Sequence, residues 1–453
     1  MNKARRTAMA LAGTAAAFSL IATGCSSGDG DGGGDGTSAE PIASDAFDEA
    51  MSTPTKLTFW TWVPDIENEI ALFEEEYPAI DVTVENVGQG LEHYQKLRSA
   101  LESGEGAPDV AQIEYMYIPT FNLTGSLLDL SEYGARDLGG DYVDWVWNQV
   151  ANDAGVWAIP QDTGPMGNLY REDILKEAGL DGAPETYDEY ADAAKQVKEK
   201  TGSYISNLAA NEPVQLIALL WQAGLDPFGY DGAETVSINV NSPEVKEVVQ
   251  YWQDLVQADL VSTDAGWTDN WFQNIANGHY AGWLVPAWGP IFLQGTAEGT
   301  AGKWRAAPLP QWDAANPVSG NWGGSSNAVL STTENPIAAY ELARWINHEP
   351  EPTTMFATEQ FLYPALKSLL EDPEYADQPV EFFGGQEVNA EFADISATVD
   401  PTFEWLPFNE FVLSAYNETV GVAWEKKGDA VAALDDWQQE IVDYATEQGF
   451  TIE

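Results

Sequence analysis

Aromatic and acidic side chains stand close together at two points of the sequence. They are Trp60, Trp62 and Asp65 in the first group, and Glu114, Tyr115 and Tyr117 in the second. A carboxylate accepts hydrogen bonds from hydroxyl groups, and a flat aromatic ring covers an apolar face. A sugar offers both features, because its ring has C–H faces and a rim of hydroxyls. The two groups are therefore candidate binding residues for a polyhydroxylated ligand.

Both groups follow segments with strand character. Residues 56–61 and 109–113 are predicted strands, residues 66–77 show helical spacing, and residues 80–85 alternate apolar and polar side chains. Such alternation of strands and helices predicts parallel strands joined by right-handed crossovers, and hence the α/β fold class. In open parallel sheets, ligands bind beyond the carboxyl ends of the strands, which is where both groups lie.

The composition excludes several functions. The chain has 453 residues, which is room for two or three domains. It carries 73 acidic and 19 basic residues, and the formal charge of −54 repels nucleic acid and anionic lipid. Cys25 is the sole cysteine, and the 3 histidines do not pair at metal-ligand spacing. We therefore expect no disulfide, no metal site, no cofactor and no nucleic-acid partner.

The N-terminus has the pattern of a bacterial export signal. Residues 1–24 join a basic start to an apolar stretch that is too short to remain as a membrane helix. They end in Ala-Thr-Gly before Cys25, which resembles a lipobox, and this resemblance implies that Cys25 is lipidated. Residues 25–54 are rich in Gly, Ser and Asp and predict a flexible linker. We expect an extracytoplasmic protein held at the cell membrane by lipid.

Two later segments indicate that the chain passes between two bodies. A predicted strand ends at Pro160 and runs into a turn-rich stretch, after which a new α/β pattern starts near Gly167. A second strand ends at Leu309, before prolines and a run of glycines. Few crossings between two bodies make a hinge, so hinges are expected near residues 160–166 and 306–322.

Several motifs together resemble one protein family. After the lipobox at Cys25, they are residues 57–62, 73–78 leading into 80–82, 107–110, 125–130, 159–170, 277–283 and 322–326. Their order and spacing within residues 55–450 are similar to those of the extracellular solute-binding proteins of bacterial ABC importers. Within that family, the motifs look like those of the maltose-binding-protein-like cluster, which takes sugars and oligosaccharides.

The resemblance implies a two-lobed fold of type II with the ligand cleft between the lobes. Each lobe is expected to hold a mostly parallel sheet flanked by helices, and to consist of two segments of the chain. The expected first lobe comprises residues 55–160 and 323–370, and the second comprises 166–306 and 375–453. A third hinge is expected near residues 370–375. The resemblance also implies a monomer that delivers its ligand to ABC permease subunits.

The resemblance nominates further ligand-binding residues. They are Trp60, Trp62, Glu114, Tyr115, Asp162 and Thr163, then Trp322, Gly323 and Gly324 at the glycine run, and Trp405 or Phe408 further on. In similar proteins a tryptophan that stacks on sugar follows the tract at Gly289-Pro290. Ile291 holds that position here, and Trp288 is expected to substitute for it. Trp267 and Trp271 are left open between ligand contact and core packing.

These features together predict a receptor for a neutral saccharide, and not an enzyme. A cationic peptide or polyamine is an open alternative, because acidic charge and aromatic loops suit such a ligand as well. A secreted glycoside hydrolase is a second alternative, since paired carboxylates and aromatic subsites also describe that class. The sequence gives the hydrolase little support, because no pair of carboxylates stands out.

Overall fold

The computed structural model describes residues 42–453. The predicted signal peptide, Cys25 and the predicted linker up to residue 41 lie outside the described residues. Within residues 42–453, no helix combines the length and apolar character that crossing a membrane requires.

Strands and helices alternate along most of the described chain. The strands are β1 (Thr55–Trp60), β2 (Ile80–Glu85), β3 (Val110–Glu114), β4 (Ile159–Pro160), β5 (Met166–Arg171), β6 (Phe228–Tyr230), β7 (Thr235–Ile238), β8 (Gly282–Pro286), β9 (Trp304–Pro308), β10 (Ser325–Val329) and β11 (Thr451–Ile452). The helices are α1 (Ser44–Ser52), α2 (Glu67–Glu76), α3 (Leu91–Ser103), α4 (Ile118–Leu123), α5 (Asp144–Trp147), α6 (Glu172–Ala178), α7 (Tyr187–Thr201), α8 (Pro213–Gln222), α9 (Pro243–Gln257), α10 (Asp269–Ala276), α11 (Gly289–Thr296), α12 (Pro336–His348), α13 (Pro350–Thr358), α14 (Lys367–Leu370), α15 (Pro373–Ala376), α16 (Val388–Ser396), α17 (Asn409–Glu418), α18 (Val420–Glu425) and α19 (Ala430–Gln448).

The first lobe is the body built on a five-stranded sheet in the order β2-β1-β3-β10-β4. β1 runs parallel to β2 and β3, whereas β10 runs antiparallel to β3 and β4. The predicted alternation of β2 is confirmed, because Ile80 and Val82 are buried while Asp81 and Thr83 are exposed. Since β1 and β3 are parallel neighbours, the loops at their carboxyl ends lie at the same edge of the sheet.

The second lobe contains two three-stranded sheets, β8-β5-β9 and β11-β7-β6. β5 pairs antiparallel with both β8 and β9, and β6 pairs antiparallel with β7. The predicted α/β class and two-lobed fold are confirmed, but the expected mostly parallel sheet is wrong for this lobe. The residue pattern predicts where a strand lies but not its direction. β8 runs antiparallel to β5 because the long connection between them brings the chain back to the end of the sheet at which β5 finishes.

The prediction of a flexible linker up to residue 54 is wrong for residues 44–52. They form α1, and this helix packs against α12 of the first lobe. Met51 is 9% exposed, and the Phe47 ring centroid lies 6.1 Å from that of Tyr340. Phe47 and Met51 are four residues apart and therefore share one face of the helix. The packing of these two apolar side chains against the first lobe stabilises a helix in a stretch whose composition is typical of a linker.

Three segments of the chain lie side by side where the lobes meet. The Thr163 N–H donates to the Tyr363 carbonyl oxygen at 2.9 Å, and the Trp322 N–H donates to the Gly164 carbonyl oxygen at 2.9 Å. The two crossings predicted from Gly and Pro are therefore neighbours in space, with a third segment beside them. Their bending as hinges stays a prediction.

Candidate functional site

A cavity of about 590 Å³ opens where the loops of the two lobes face each other, and we call it the cleft. Its acidic side chains are Glu114, Asp162 and Glu212. Its aromatic side chains are Trp62, Trp267, Trp288, Phe292, Trp322 and Phe361. The remaining lining residues are Val63, Pro64, Gln89, Gln112, Ile291, Gly323, Gly324, Ser325, Gln360 and Leu362. Among these lining residues there is no lysine, arginine or histidine.

Gln112 fixes the floor of the cleft. Its carboxamide oxygen accepts hydrogen bonds from the Thr61 hydroxyl at 2.7 Å and from the Trp62 N–H at 3.1 Å. Its Nε2 donates to the Ser325 hydroxyl at 2.8 Å. One buried amide in β3 thus joins the loop after β1 to the start of β10. A buried polar group with its partners satisfied holds neighbouring segments in one arrangement.

Glu114 ends β3 at the wall of the cleft. The Tyr94 hydroxyl donates to its Oε2 at 3.1 Å, and the Glu114 N–H donates to the same hydroxyl oxygen at 2.9 Å. Burial raises the pKa of the Glu114 carboxyl, the hydrogen bond from Tyr94 lowers it, and the negative charge of Asp162 raises it; together they place it at about 7, above its ordinary value. Glu114 is therefore an acceptor whose charge is sensitive to pH near neutrality.

Asp162 lies at the first crossing between the lobes and is 9% exposed. Its Oδ1 accepts hydrogen bonds from the Ser325 N–H at 2.8 Å and from the Ser325 hydroxyl. Burial raises the pKa of Asp162 to about 6, although these hydrogen bonds act in the opposite direction. The carboxylate thus ties the first crossing to β10 and faces the cleft at the same time.

The third carboxyl of the cleft is that of Glu212, which belongs to the second lobe. It directly precedes α8, in which every residue is buried. Burial raises the pKa of Glu212 to about 7, although the neighbouring Trp267 side chain acts in the opposite direction. Acceptors therefore face the cleft from both lobes.

Tryptophans form one wall of the cleft. The Trp288 Nε1 donates to the Trp322 carbonyl oxygen at 3.1 Å, and the two rings meet edge to face with centroids 5.6 Å apart. The Trp267 centroid lies 5.8 Å from that of Trp288. Trp322 is 8% exposed, whereas Trp267 and Trp288 are half-buried. The half-buried rings offer apolar faces on which a sugar ring can lie.

Glycine at position 324 is required by close packing. Its φ is +88°, and a Cβ there would lie 2.7 Å from the Tyr115 ring and 2.8 Å from the Asp162 carbonyl oxygen. The glycine run therefore lets β10 begin directly against the first crossing, which places Ser325 beside Asp162.

The chain also matches a known protein family. Residues 59–349 match the family described as bacterial extracellular solute-binding proteins. The chain belongs to this family. The resemblance seen in the sequence is thereby confirmed, and the family's proteins named below bind sugars.

Individual relatives support the same assignment. In structure, this solute-binding protein is similar to an ABC transporter-associated binding protein from B. animalis subsp. lactis Bl-04 in complex with β-1,6-galactobiose, with 32% identity, a TM-score of 0.76, and coverage of 88% of this chain and 99% of that one. It is also similar to the galacto-N-biose/lacto-N-biose I-binding protein of Bifidobacterium longum, with 27% identity, a TM-score of 0.77, and coverage of 88% and 98%. In sequence, it is 28% identical to an arabinooligosaccharide-binding protein of Halalkalibacterium halodurans over 62% of this chain and 64% of that protein, somewhat less than two thirds of the relative's length.

The structure brings half of the nominated residues together in the cleft of this solute-binding protein. They are Trp62, Glu114, Asp162, Trp288, Trp322, Gly323 and Gly324. They come from both lobes and from two of the crossings. Their contact with ligand stays a prediction.

Trp60 and Asp65 do not line the cleft. Trp60 is 7% exposed, and its Nε1 donates to Glu85 Oε2 on the neighbouring strand at 3.0 Å. It belongs to the core because it lies within β1, whereas Trp62 lies beyond the end of the strand. Asp65 is exposed in the turn that leads into α2.

Tyr115, Tyr117 and Thr163 support the cleft from behind. The Tyr115 hydroxyl donates to the Asp162 carbonyl oxygen at 2.8 Å. The Tyr117 ring centroid lies 3.9 Å from that of Tyr94, the partner of Glu114. Thr163 is fully buried, and its hydroxyl donates to the Pro364 carbonyl oxygen at 3.3 Å. These residues position lining residues without lining the cleft themselves.

Trp405 and Phe408 lie elsewhere in the second lobe. Trp405 lines a separate cavity of about 120 Å³, and its ring centroid is 5.0 Å from that of Phe403. Phe403 in turn stacks on Trp221 at 4.1 Å. Phe408 packs 5.4 Å from the ring of Tyr444. Their segment is held by aromatic core packing, which keeps both residues off the cleft.

Several residues that line the cleft are not predicted from the sequence. Gln112 does carry a signal, since it is an amide between the apolar residues Ala111 and Ile113 of β3. Glu212 stands in an Asn-Glu-Pro stretch before a wholly apolar helix, which is a weaker signal. Phe292 and Phe361 carry none, because nothing local in the sequence tells that a phenylalanine faces a cavity formed by distant segments.

Proposed function

We propose that this solute-binding protein captures a neutral oligosaccharide in the cleft and delivers it to the permease of an ABC importer. The observation that carries the proposal is the lining of the cleft, which combines aromatic faces and carboxylate or amide oxygens and has no lysine, arginine or histidine. An anionic ligand would be repelled by the three carboxyls. A sugar hydroxyl can donate to each of them.

The expected interactions follow from the side chains. Hydroxyls donate to Glu114, Asp162 and Glu212, and a hydrogen bond to a charged group contributes about 1.5–3 kcal/mol. The ring faces of the sugar lie on Trp62, Trp267 or Trp288, where burial of apolar area contributes roughly 25 cal/mol per Å². The cleft volume of about 590 Å³ falls within the usual range for ligand sites.

The relatives narrow the ligand class. Their names and titles give β-1,6-galactobiose, lacto-N-biose and arabino-oligosaccharides as ligands. These ligands are neutral and consist of two or more sugar units. We propose the same class for this protein, without choosing among the sugars.

Thermal unfolding and calorimetry with a panel of neutral saccharides test the proposal. A ligand present at 100 times its Kd adds about 2.7 kcal/mol to the free energy of unfolding and raises the melting temperature. We expect at least one neutral di- or trisaccharide of the panel to do so, with little change between low and moderate salt. A panel that produces no shift and no heat of binding would contradict the proposal.

A lipid anchor completes the proposed role. Cys25 and the residues up to 41 would tether the folded lobes to the outer face of the cell membrane, near the permease. We propose that one copy of the chain suffices, since both lobes of the cleft come from a single chain.

A cationic ligand is the second candidate, and the three carboxyls of the cleft favour it. Putrescine, spermidine and a lysine-containing peptide belong in the same panel. If one of these binds and its affinity falls steeply with added salt, the ligand is cationic, because screening weakens charge–charge attraction. Hydrolysis of any bound oligosaccharide, monitored over hours, would instead indicate a glycosidase.

A further inference from the structure

Two phenylalanines are exposed at the mouth of the cleft. Phe361 of the first lobe is 50% exposed, and Phe292 of α11 in the second lobe is 40% exposed. Both line the cleft. Exposed aromatic side chains that line a cavity from two sides leave apolar surface uncovered until a ligand fills the space.

The backbone at Phe361 is strained. Its φ is +59°, in the left-handed region that is unfavourable for a bulky residue. Its neighbours hold this conformation, because the Gln360 Nε2 donates to Glu69 Oε1 at 2.8 Å and the Leu362 N–H donates to the Phe356 carbonyl oxygen at 2.9 Å. Strain that surrounding contacts maintain is concentrated at functional sites in proteins.

The opposite wall shows the same feature. Trp267 has a φ of +63°, and among the described residues the aromatic ones with positive φ are Trp267 and Phe361. Both line the cleft. The Phe292 ring centroid lies 5.4 Å from that of Trp267 and 5.6 Å from that of Trp288. Phe292 therefore continues the tryptophan wall outward to the mouth.

We propose that Phe361 and Phe292 form an outer sugar subsite, which binds the unit of the oligosaccharide that lies beyond the carboxyl groups. This inference rests on the proposed saccharide function and deepens it. The side chains of Phe361 and Phe292 offer aromatic faces and no hydrogen-bonding group. The outer subsite therefore recognises the presence of a further sugar unit by stacking, and not the pattern of its hydroxyls. Its effect is to select ligands by length.

Substitution by glycine separates strain from binding. Glycine adopts a φ of +59° without penalty, so Phe361→Gly removes the ring and relieves the backbone strain together. We expect the melting temperature of the unliganded variant to equal or exceed that of the wild type. Phe361→Asn is the second variant, since asparagine tolerates the same backbone conformation. Phe361→Tyr keeps a ring and should retain wild-type binding.

Calorimetry with β-1,6-galacto-oligosaccharides and arabino-oligosaccharides of two, three and four units measures the length dependence. In the wild type, affinity should rise with length up to the unit that fills the outer subsite. In Phe361→Gly, the shortest ligand that binds should keep its affinity within about twofold, and the longer ligand should lose about tenfold, the order of one aromatic contact. Phe292→Ala should show the same pattern.

Lys427→Gly is the matched control. Lys427 also has a positive φ, of 49°, and is exposed away from the cleft, so its glycine variant should bind every ligand as the wild type does. If Phe361→Gly and Phe361→Asn weaken short and long ligands by the same factor, or weaken neither, the outer subsite is refuted while saccharide binding stands. If the wild type binds no neutral saccharide of the panel, the proposed function itself fails, and this inference fails with it. If it binds only a saccharide outside these two series, the length series is made from that saccharide and the same outcomes decide.

Discussion

The Nη2 nitrogen of Arg98 contacts both carboxylate oxygens of Glu410, at 2.6 and 2.8 Å, and so links the two lobes. Arg98 lies in α3 of the first lobe, and Glu410 lies in the first turn of α17 of the second. Each side chain is 29% exposed. Because the pair is largely shielded from water, it is screened less than an exposed pair, and it favours the arrangement in which the lobes are close.

Loss of this ion pair should favour an open arrangement of the lobes. In Glu410→Gln, we expect a larger radius of gyration without ligand. The saccharide affinity should be lower by about 2–10-fold, because a larger part of the free energy of binding is then used to close the lobes. Small-angle scattering and calorimetry measure the two effects. Saturating ligand should decrease the radius of gyration of both proteins.

Lys56→Met is the control for this change. Lys56 pairs with Asp81 at 3.2 Å within the first lobe, and both side chains are more than half exposed. Its loss should alter neither radius nor affinity. Equal radii and affinities for wild type and Glu410→Gln would show that the Arg98–Glu410 pair does not bias the lobes.

The stability of the unliganded protein should depend on pH through Glu114 and Asp162. Their pKa values are raised by burial to about 7 and about 6, so the folded state binds protons more tightly than the unfolded chain does. This contribution to the free energy of unfolding is complete below about pH 4 and is lost as the pH rises to about 7. Glu114→Gln should therefore be more stable than the wild type at pH 8, with a smaller difference at pH 4.5, as measured by denaturant unfolding.

Saccharide affinity should depend on pH with the opposite sign. A carboxylate accepts hydroxyl hydrogen bonds better than the neutral acid, so affinity should rise between pH 5 and pH 8 in the wild type. Glu114→Gln should reduce this rise, since glutamine does not titrate. An affinity that is flat over this range in the wild type would show that the raised pKa values of Glu114 and Asp162 play no part in binding.

Gly324→Ala and Gly385→Ala form a matched pair. Their φ values are +88° and +85°, but a Cβ at Gly324 meets Tyr115 and Asp162 within 3 Å, whereas nothing lies within 4 Å at Gly385. Gly385→Ala should lower the free energy of unfolding by about 1–2 kcal/mol, the price of the left-handed backbone. Gly324→Ala should lower the free energy of unfolding by the same amount and by about 1–3 kcal/mol more, because its Cβ overpacks this region. It should also weaken saccharide binding. Equal losses in the two variants would contradict the packing at the start of β10.

Cys25→Ser tests the proposed anchor. If Cys25 carries lipid, the variant should leave the membrane fraction while a soluble form keeps its saccharide affinity. Fractionation of cells that express each form, followed by immunoblotting, gives the answer. Retention of Cys25→Ser in the membrane fraction would refute the lipobox interpretation.

The sequence predicts those parts of the fold and site that local spacing determines. Ile66 and Phe73 are placed in the core by helical spacing, and Trp62 is placed at the cleft because it follows a strand. The direction of β8 and β9 escapes prediction, since strand direction depends on the whole connection. Glu212 and Phe361 escape as well, because their places in the cleft follow from how distant segments pack.

Trp288→Ala provides a direct test of stacking. Trp288 is half-buried at the cleft, and its indole is held by the hydrogen bond to the Trp322 carbonyl oxygen, so its face is fixed before ligand arrives. Removal of such an anchor should weaken saccharide binding by about 2–4 kcal/mol. Trp288→Phe keeps a smaller ring but loses the Nε1 hydrogen bond, and an intermediate loss is expected.

Trp312→Ala is the control for a general effect of removing a tryptophan. Trp312 is 42% exposed, and its ring lies 4.1 Å from that of Tyr187, outside the cleft. Its variant should bind saccharide as the wild type does. Calorimetry on the three variants at two salt concentrations separates the possible results. Wild-type affinity in Trp288→Ala would refute stacking on this residue, and an equal loss in Trp312→Ala would show that the effect is not local to the cleft. A loss in Trp288→Ala that is independent of salt would show that the contact is apolar, as a neutral sugar requires.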